Sequence, residues 1–161
     1  MKTLGTKGIK YLKIAHLFFV IVWFGGGIAL SVSAIASIAQ SNDAIYMRSL
    51  ILQIIDDYLI IPGAIGCLLT GLIYGIWSKW GFFKHRWLTV KWILTAFSIL
   101  FGTFILGPWI NNNVDLSKNI NDIATSEIAH NLSMTQIWGT LQLSMLLIMV
   151  IISVLKPWKK K

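Results

Sequence analysis

The fold is decided by an apolar stretch near the start of the chain, YLKIAHLFFVIVWFGGGIALSVS, which runs from Tyr11 to about Ser33. A helix of about 20 residues crosses a hydrocarbon layer of roughly 30 Å. The stretch is longer than the apolar core of a signal peptide, and it continues into Ser, Ala and Ile residues with no clear cleavage site. We therefore predict that it forms a transmembrane helix.

Three further apolar runs of similar length follow the first, at residues 58–77, 88–109 and 136–155. Hydrophobic residues make up 56% of the 161 residues, and the mean hydropathy is +0.72. This composition excludes a protein whose whole surface faces water. We expect one all-α domain, residues 1–161, that forms a four-helix integral membrane bundle in a lipid bilayer, with spans at about 11–33, 58–77, 88–109 and 136–155.

The charged residues are divided between the two sides of the predicted bundle. Basic residues precede the first run, surround the turn between the second and third runs, and close the chain, whereas only Arg48 and Lys118 lie in the other two connections. Those two connections hold all the acidic residues, namely Asp43, Asp56, Asp57, Asp115, Asp122 and Glu127. Because cytoplasmic loops carry the excess of Lys and Arg, we expect a multi-pass protein of a bacterial plasma membrane with both termini in the cytoplasm. The formal net charge of +8 reports this topology, and no nucleic-acid partner is expected.

Local signals predict how the polar connections join the runs. Asp43 is placed to cap a helix that continues amphipathically into the second run, and a helical turn or two leads into the fourth run before Gln136. Pro62 lies one turn inside the second run, where it bends the helix or leaves a carbonyl without its donor. Pro108 and Pro157 mark the ends of the third and fourth runs.

Each run carries small and polar residues along one helical face. The residues with this spacing include His16, Trp23, Gly27, Gly66, Thr70, Lys91, Thr95, Ser98, Gln142, Met149 and Ser153. Helix packing accounts for most of them, because small residues let helices approach and polar side chains need partners away from lipid. His16 and Lys91 differ because they are ionisable and are expected near the cytoplasmic leaflet. A histidine there is a functional-site hypothesis, whereas Lys91 alone can extend to the interface.

Three segments of the apolar runs carry a resemblance to known families. The segment His16-Leu-Phe-Phe-Val-Ile-Val-Trp23-Phe-Gly-Gly-Gly resembles the opening helix of the copper-resistance protein D superfamily. The segment Arg86-Trp-Leu-Thr-Val-Lys91 is similar to the start of the third helix of HemJ-type protoporphyrinogen oxidases. The segment GCLLTGLIYG, which begins at Gly66, resembles the small-residue helix of related uncharacterised integral membrane proteins, and the overall resemblance is closest to these.

The resemblance implies a haem b site in the bundle and a membrane oxidoreductase that acts on a porphyrin or a quinone-like substrate. His16 matches the histidine ligand of the haem iron, and Lys91 matches the basic residue of the third helix. At the cytoplasmic boundary Lys91, Lys13 or Arg86 can pair with the haem propionates.

The depth of each candidate side chain limits the second axial ligand. A haem iron with two axial ligands needs both at similar depth on facing helices. His130 lies on the outer side, most of a bilayer away from His16, so this pair is excluded. His85 is cytoplasmic and reaches the iron only if the short loop folds inward, while Met149 lies near the depth of His16. Iron held by His16 alone is equally compatible, and core packing is the more ordinary role of Met149.

Two alternatives to a haem protein stay open. His130 and Met134 are four residues apart, with Glu127 nearby and Met47 in the other outer connection, and together they offer imidazole and thioether ligands for copper. A histidine beside a glutamate on a helix is more often a solvated pair. The second alternative is a non-enzymatic accessory protein that works as a homodimer or with another membrane protein. No paired intramembrane carboxylates are predicted, which disfavours transport by a monomer.

Overall fold

Four long helices make up the computed structural model, which describes residues 4–36, 41–78, 83 and 85–157. They are α1 (Thr6–Ala36), α2 (Asn42–Trp77), α3 (Arg86–Leu116) and α4 (Asp122–Leu155), and this part of the chain contains no strand. All four helices are long and apolar enough to cross a membrane, so the prediction of an all-α membrane bundle is confirmed. We name its two ends by charge: the basic end holds the start of α1 and the junction of α2 with α3, and the acidic end is opposite.

The helices continue well beyond the apolar runs at the acidic end. There α2 begins at Asn42, α3 continues to Leu116, and α4 begins at Asp122. The side chain of Ser41 accepts a hydrogen bond from the Ala44 amide at 3.3 Å and caps α2, so Asp43 lies in the first turn and is not the cap. The polar connections predicted from the sequence are therefore largely helical.

Buried amides hold this helical extension together. Asn131 Nδ2 of α4 donates to Asn113 Oδ1 of α3 at 3.0 Å, and both side chains are buried. On the surface of the extension, Asn112 Nδ2 donates to Glu127 Oε1 at 2.8 Å. Polar pairs between helices thus take over where the apolar contacts end, which explains why hydropathy alone does not locate the helix ends.

Both internal prolines follow a segment of π-helix. In α2 the α-helical segments Asn42–Ile55 and Ile61–Trp77 are separated by the π-helical segment Asp56–Ile60. In α3 the segments Arg86–Phe101 and Gly107–Leu116 are separated by the π-helical segment Gly102–Leu106.

The wider π turns let each helix continue through its proline. Proline has no N–H to donate to the carbonyl four residues back. Here the Ile61 amide donates to the Asp56 carbonyl and the Gly107 amide donates to the Gly102 carbonyl, so the hydrogen-bond pattern shifts to a five-residue step just before Pro62 and Pro108. Pro108 consequently lies inside α3 and not at its end. At the basic end, α4 does stop before Pro157, at a left-handed Lys156 with φ 46°.

Glycines bring α1 and α2 into close contact. A Cβ atom added at Gly63 would lie 2.6 Å from the Trp23 backbone nitrogen, and one added at Gly66 would lie 2.1 Å from the Phe19 ring. Only glycine fits at these two positions with the helices this close. Trp23 is consequently buried against α2, where it forms the apolar core with Cys67 and Met149.

We expect Gly63→Ala to lower the free energy of unfolding by about 1–3 kcal/mol, because the new methyl group meets the Trp23 backbone, which cannot rotate away. Unfolding in mixed micelles of a denaturing and a mild detergent measures this change. The matched control is Gly25→Ala, where nothing lies within 4 Å of the added Cβ. Equal stability of the two variants would contradict the close packing of α1 on α2.

We also expect Asn113→Ala to destabilise the extension by about 1–3 kcal/mol, because Asn131 would lose its buried acceptor. The neighbouring variant Asn112→Ala removes an exposed hydrogen bond and should change stability much less. Thermal unfolding followed by circular dichroism compares the two, and a larger effect at Asn112 would show that the exposed pair is the more important one.

Candidate functional site

Six side chains in the half of the bundle nearer the basic end form one layer, to which all four helices contribute. His16 Nδ1 of α1 lies 2.7 Å from Thr70 Oγ1 of α2. On the other side of the layer, Lys91 Nζ of α3 donates to Ser153 Oγ of α4, and Thr95 Oγ1 donates to Met149 Sδ at 3.3 Å. We call these six residues the His16 layer. It brings together His16, Lys91 and Met149, which the sequence placed at similar depth.

Thr70 determines which nitrogen of His16 carries a proton. Thr70 Oγ1 lies 2.6 Å from the Gly66 carbonyl oxygen, and its one hydroxyl proton satisfies that acceptor. The hydroxyl oxygen then accepts from His16, so Nδ1 carries a proton. The rings of His16 and Tyr74 pack edge to face, with centroids 6.1 Å apart. In the neutral form of the imidazole, Nε2 is the nitrogen that keeps a lone pair for a ligand bond.

Lys91 is a half-buried cation whose hydrogen-bond partner is a hydroxyl group. It lies within electrostatic range of both His16 and the Cys67 thiol. Among the side chains that the structure describes, the one ion pair joins Lys118 to Asp115 at the acidic end. No carboxylate therefore neutralises Lys91 within this part of the chain, and the layer carries an uncompensated positive charge that suits an anionic group.

The space beside His16 is filled by apolar side chains. Phe19 packs over Gly66, and Met149 is buried with Trp23 and Cys67. A cavity of about 50 Å³ does lie inside the bundle, but it is on the acidic side of Trp23. Pockets for cofactors measure about 300–1,000 Å³. The imidazole of His16 and the ammonium group of Lys91 are suited to a haem. The space beside His16 is too small for a haem while Phe19 and Met149 keep these positions.

The other predicted site residues lie apart from the His16 layer. His85 precedes α3 and stacks on Trp87, with ring centroids 6.1 Å apart, and Arg86 is exposed at the first position of the helix. Both are more than one turn before Lys91, at the basic end. The structure therefore places Arg86 where it can attract an anion toward the layer, and gives His85 an aromatic partner.

The residues of the copper hypothesis lie on the surface of the extension. His130 is exposed, Met134 is half-buried, and Glu127 is engaged by Asn112. In the described ranges no group of three or more His, Cys, Asp or Glu side chains could hold a metal ion. The structure thus adds no further ligand to the pair His130 and Met134.

One polar site, at Asp56, was not predicted from the sequence. Asp56 lies in the helix that was expected to lead into the second run, but its π-helical segment and its place on the wall of the 50 Å³ cavity were not foreseen. On the opposite wall, Gln142 Nε2 donates to the Ser98 carbonyl at 3.0 Å. A signal was present in the sequence, because the amphipathic helix expected from Asp43 onward already carries Asp56 into the helix interior.

One protein family matches almost the whole chain. Residues 10–160 match a protein family described as "Predicted integral membrane protein (DUF2269)". No curated protein and no solved structure matches the chain. The family description agrees with the four membrane-spanning helices and does not mention copper-resistance protein D or HemJ-type enzymes, so the resemblance to those two groups stays a prediction.

We expect Thr70→Val to change the tautomer of His16, because valine keeps the shape of threonine but cannot accept the Nδ1 proton. Nitrogen NMR of histidine-labelled protein distinguishes the two tautomers. Thr140→Val is the matched control, since the hydroxyl of Thr140 is exposed and bonds the carbonyl of Gln136 in its own helix. An unchanged His16 signal in Thr70→Val would contradict the assigned hydrogen bond.

Proposed function

The chain belongs to the DUF2269 family of predicted integral membrane proteins, and we propose that it binds haem b inside its four-helix bundle, with His16 as the ligand of the iron. The observation that carries this proposal is the pairing of His16 with Thr70 beside the uncompensated charge of Lys91. From the distribution of basic residues, we place the protein in a bacterial plasma membrane with both termini in the cytoplasm.

His16 has the orientation that a metal ligand needs. A ligating histidine usually donates its second ring N–H to a protein acceptor, which fixes the ring and the tautomer. Thr70 is that acceptor, and its own proton goes to the Gly66 carbonyl, so the arrangement is complete without a further group. The Nε2 lone pair of His16 is what remains for the iron.

Lys91 supplies the charge that a haem requires. The two propionates of haem b are anionic, and an ammonium group in a largely apolar layer binds a carboxylate more strongly than one in water does. Lys91 can release the Ser153 hydroxyl in exchange for a carboxylate, since an ammonium group binds an anionic carboxylate more strongly than a neutral hydroxyl. Arg86, exposed where α3 begins, provides a second cation nearer the basic end.

Met149 would be a second residue to hold the haem, in addition to packing the core. Its sulfur lies in the same layer as His16 and accepts a hydrogen bond from Thr95. A bound haem supplies one-electron redox chemistry, whose potential depends on the axial ligands and on burial. A porphyrin or a quinone-like molecule dissolved in the lipid is the class of substrate that this location favours.

The spectrum of the purified protein tests the proposal. We expect protein expressed with a haem supply to show a Soret band, with α and β bands that change on reduction by dithionite. His16→Ala should lose these bands while the bundle stays assembled, as judged by gel filtration. His130→Ala, an exposed histidine at the acidic end, should keep them. Full haem occupancy in His16→Ala, or a wild-type spectrum with aromatic absorption alone, would reject the assignment.

The packing around His16 yields a second test. Because Phe19 occupies the space over Gly66, we expect Phe19→Ala to increase haem affinity about tenfold or more, equivalent to at least about 1.4 kcal/mol of binding free energy. The matched control is Phe18→Ala, since Phe18 is 59% exposed and faces away from the core. Haem titration of the two variants compares them. Equal affinity would show that Phe19 does not limit access.

A non-enzymatic accessory protein is the second candidate, and one observation favours it. The polar groups of the His16 layer are paired with one another across the bundle, as they would be if their role were to join the four helices. This candidate predicts a colourless protein that forms a homodimer or co-purifies with another membrane protein after gentle solubilisation.

A further inference from the structure

The cavity that Asp56 lines lies where the two π-helical segments face each other. It has a volume of about 50 Å³, and all four helices contribute to its walls. The polar residues among them are Ser31, Asp56 and Gln142, and most of the remaining lining side chains are apolar. We call it the Asp56 cavity. It is separated from the His16 layer by Trp23, so it is a second site in the bundle.

Both π-helical segments contribute residues to the walls of this space. Asp56–Ile60 contributes Asp56 and Ile60 to the walls, and Gly102–Leu106 contributes its first and last residues. A π turn is wider than an α turn and is common at functional sites. Gly102 leaves room for the Gln142 amide, which lies 3.3 Å from the position of an added Cβ. The backbone thus brings a carboxyl group and an amide to one small space.

No positive charge faces the Asp56 side chain within the described ranges. The wall segments of α1 (residues 23–31), α3 (residues 98–110) and α4 (residues 139–146) contain no titratable or charged residue. On α2 itself, Asp57 is adjacent and exposed, and Arg48 lies two turns away toward the acidic end. The Asp56 carboxyl group makes no hydrogen bond or ion pair with any other side chain that the structure describes. Its charge is therefore not compensated by protein.

The other polar groups of the walls leave few oxygen ligands for a metal cation. The Ser31 hydroxyl donates to the Gly27 carbonyl, and the Gln142 nitrogen donates to the Ser98 carbonyl. Hard cations such as Ca²⁺ and Mg²⁺ take about six or more oxygen ligands. A carboxylate in largely apolar surroundings is instead neutralised by a proton. The volume suffices for about three water molecules, through which a proton can arrive.

Ser98 is a further buried polar side chain at this depth of the bundle. Its side chain is fully buried, and its hydroxyl has no hydrogen-bond partner in the described part of the chain. Ser98 lies one turn from Gly102 of the cavity wall and one turn from Thr95 of the His16 layer. A buried hydroxyl of this kind is usually satisfied by water. Polar groups thus continue from the Asp56 cavity toward the interior of the bundle.

From the juxtaposition of an uncompensated Asp56 with a small cavity lined by residues of two π-helical segments, we propose that Asp56 is a proton-binding site that exchanges its proton with the acidic end of the bundle. The site is independent of haem binding, because none of its residues belongs to the His16 layer. Its ligand is a proton delivered by water, and Asp57, exposed beside it, is the first group on the way to solvent.

Labelling with dicyclohexylcarbodiimide tests the proposal on the intact protein in lipid vesicles. This apolar reagent modifies carboxyl groups that are protonated in an apolar environment, and mass spectrometry locates the modified residue. We expect label on Asp56 at least about tenfold faster than on Asp57, with a rate that falls by up to about tenfold per pH unit as the proton is lost. The variant Asp56→Asn should not be labelled in α2, and Asp57→Asn should be labelled as the wild type is.

Replacing choline chloride by sodium chloride at constant pH and ionic strength distinguishes a proton from a metal cation. An unchanged labelling rate supports the proton, whereas protection of Asp56 by sodium overturns the proposal. No label on Asp56, or equal label on Asp56 and Asp57, also overturns it. The infrared band of a protonated carboxylic acid, present in the wild type and absent in Asp56→Asn, provides a second measurement. All of these outcomes are independent of whether haem is bound.

Discussion

The structure depends on one constraint: in lipid, every backbone carbonyl needs a donor within its own helix. Pro62 and Pro108 remove two donors from helices that nevertheless continue to Trp77 and Leu116. The π-helical segments before these prolines meet the constraint by shifting the hydrogen bonds by one residue. Residues of both π-helical segments also line the Asp56 cavity, so the turns that carry each helix through its proline lie beside the one carboxyl group of the cavity wall.

On the basic side of the Asp56 cavity, the close packing of α1 against α2 depends on glycines and not on the prolines. Gly63 and Gly66 let α1 lie against α2, and this contact positions His16 beside Thr70. The glycines therefore determine both the rigidity of the site and its small volume. A ligand at His16 has to compete with Phe19 for space, so occupancy of the layer and the stability of the α1–α2 contact are energetically opposed.

The sequence predicts the features of this bundle that depend on depth and fails on those that depend on helix ends or rotation. Counting residues along each run places His16, Lys91 and Met149 at one level, because each residue advances a helix by a constant rise. The partners Thr70 and Ser153 depend on how the helices are rotated, which a single chain does not specify. The cavity beside Asp56 was not predicted, because it depends on how four helices pack around one carboxyl group.

The π-helical segments also change how this chain compares with its relatives. A turn closed by a five-residue step holds one more residue than the α-helical turn it replaces. In an alignment, a relative that lacks one residue within 56–60 or 102–106 would have a regular helix there. A gap of one position within these segments would thus be informative. It would separate family members that retain the π-helical turn beside the cavity from those with a regular helix there.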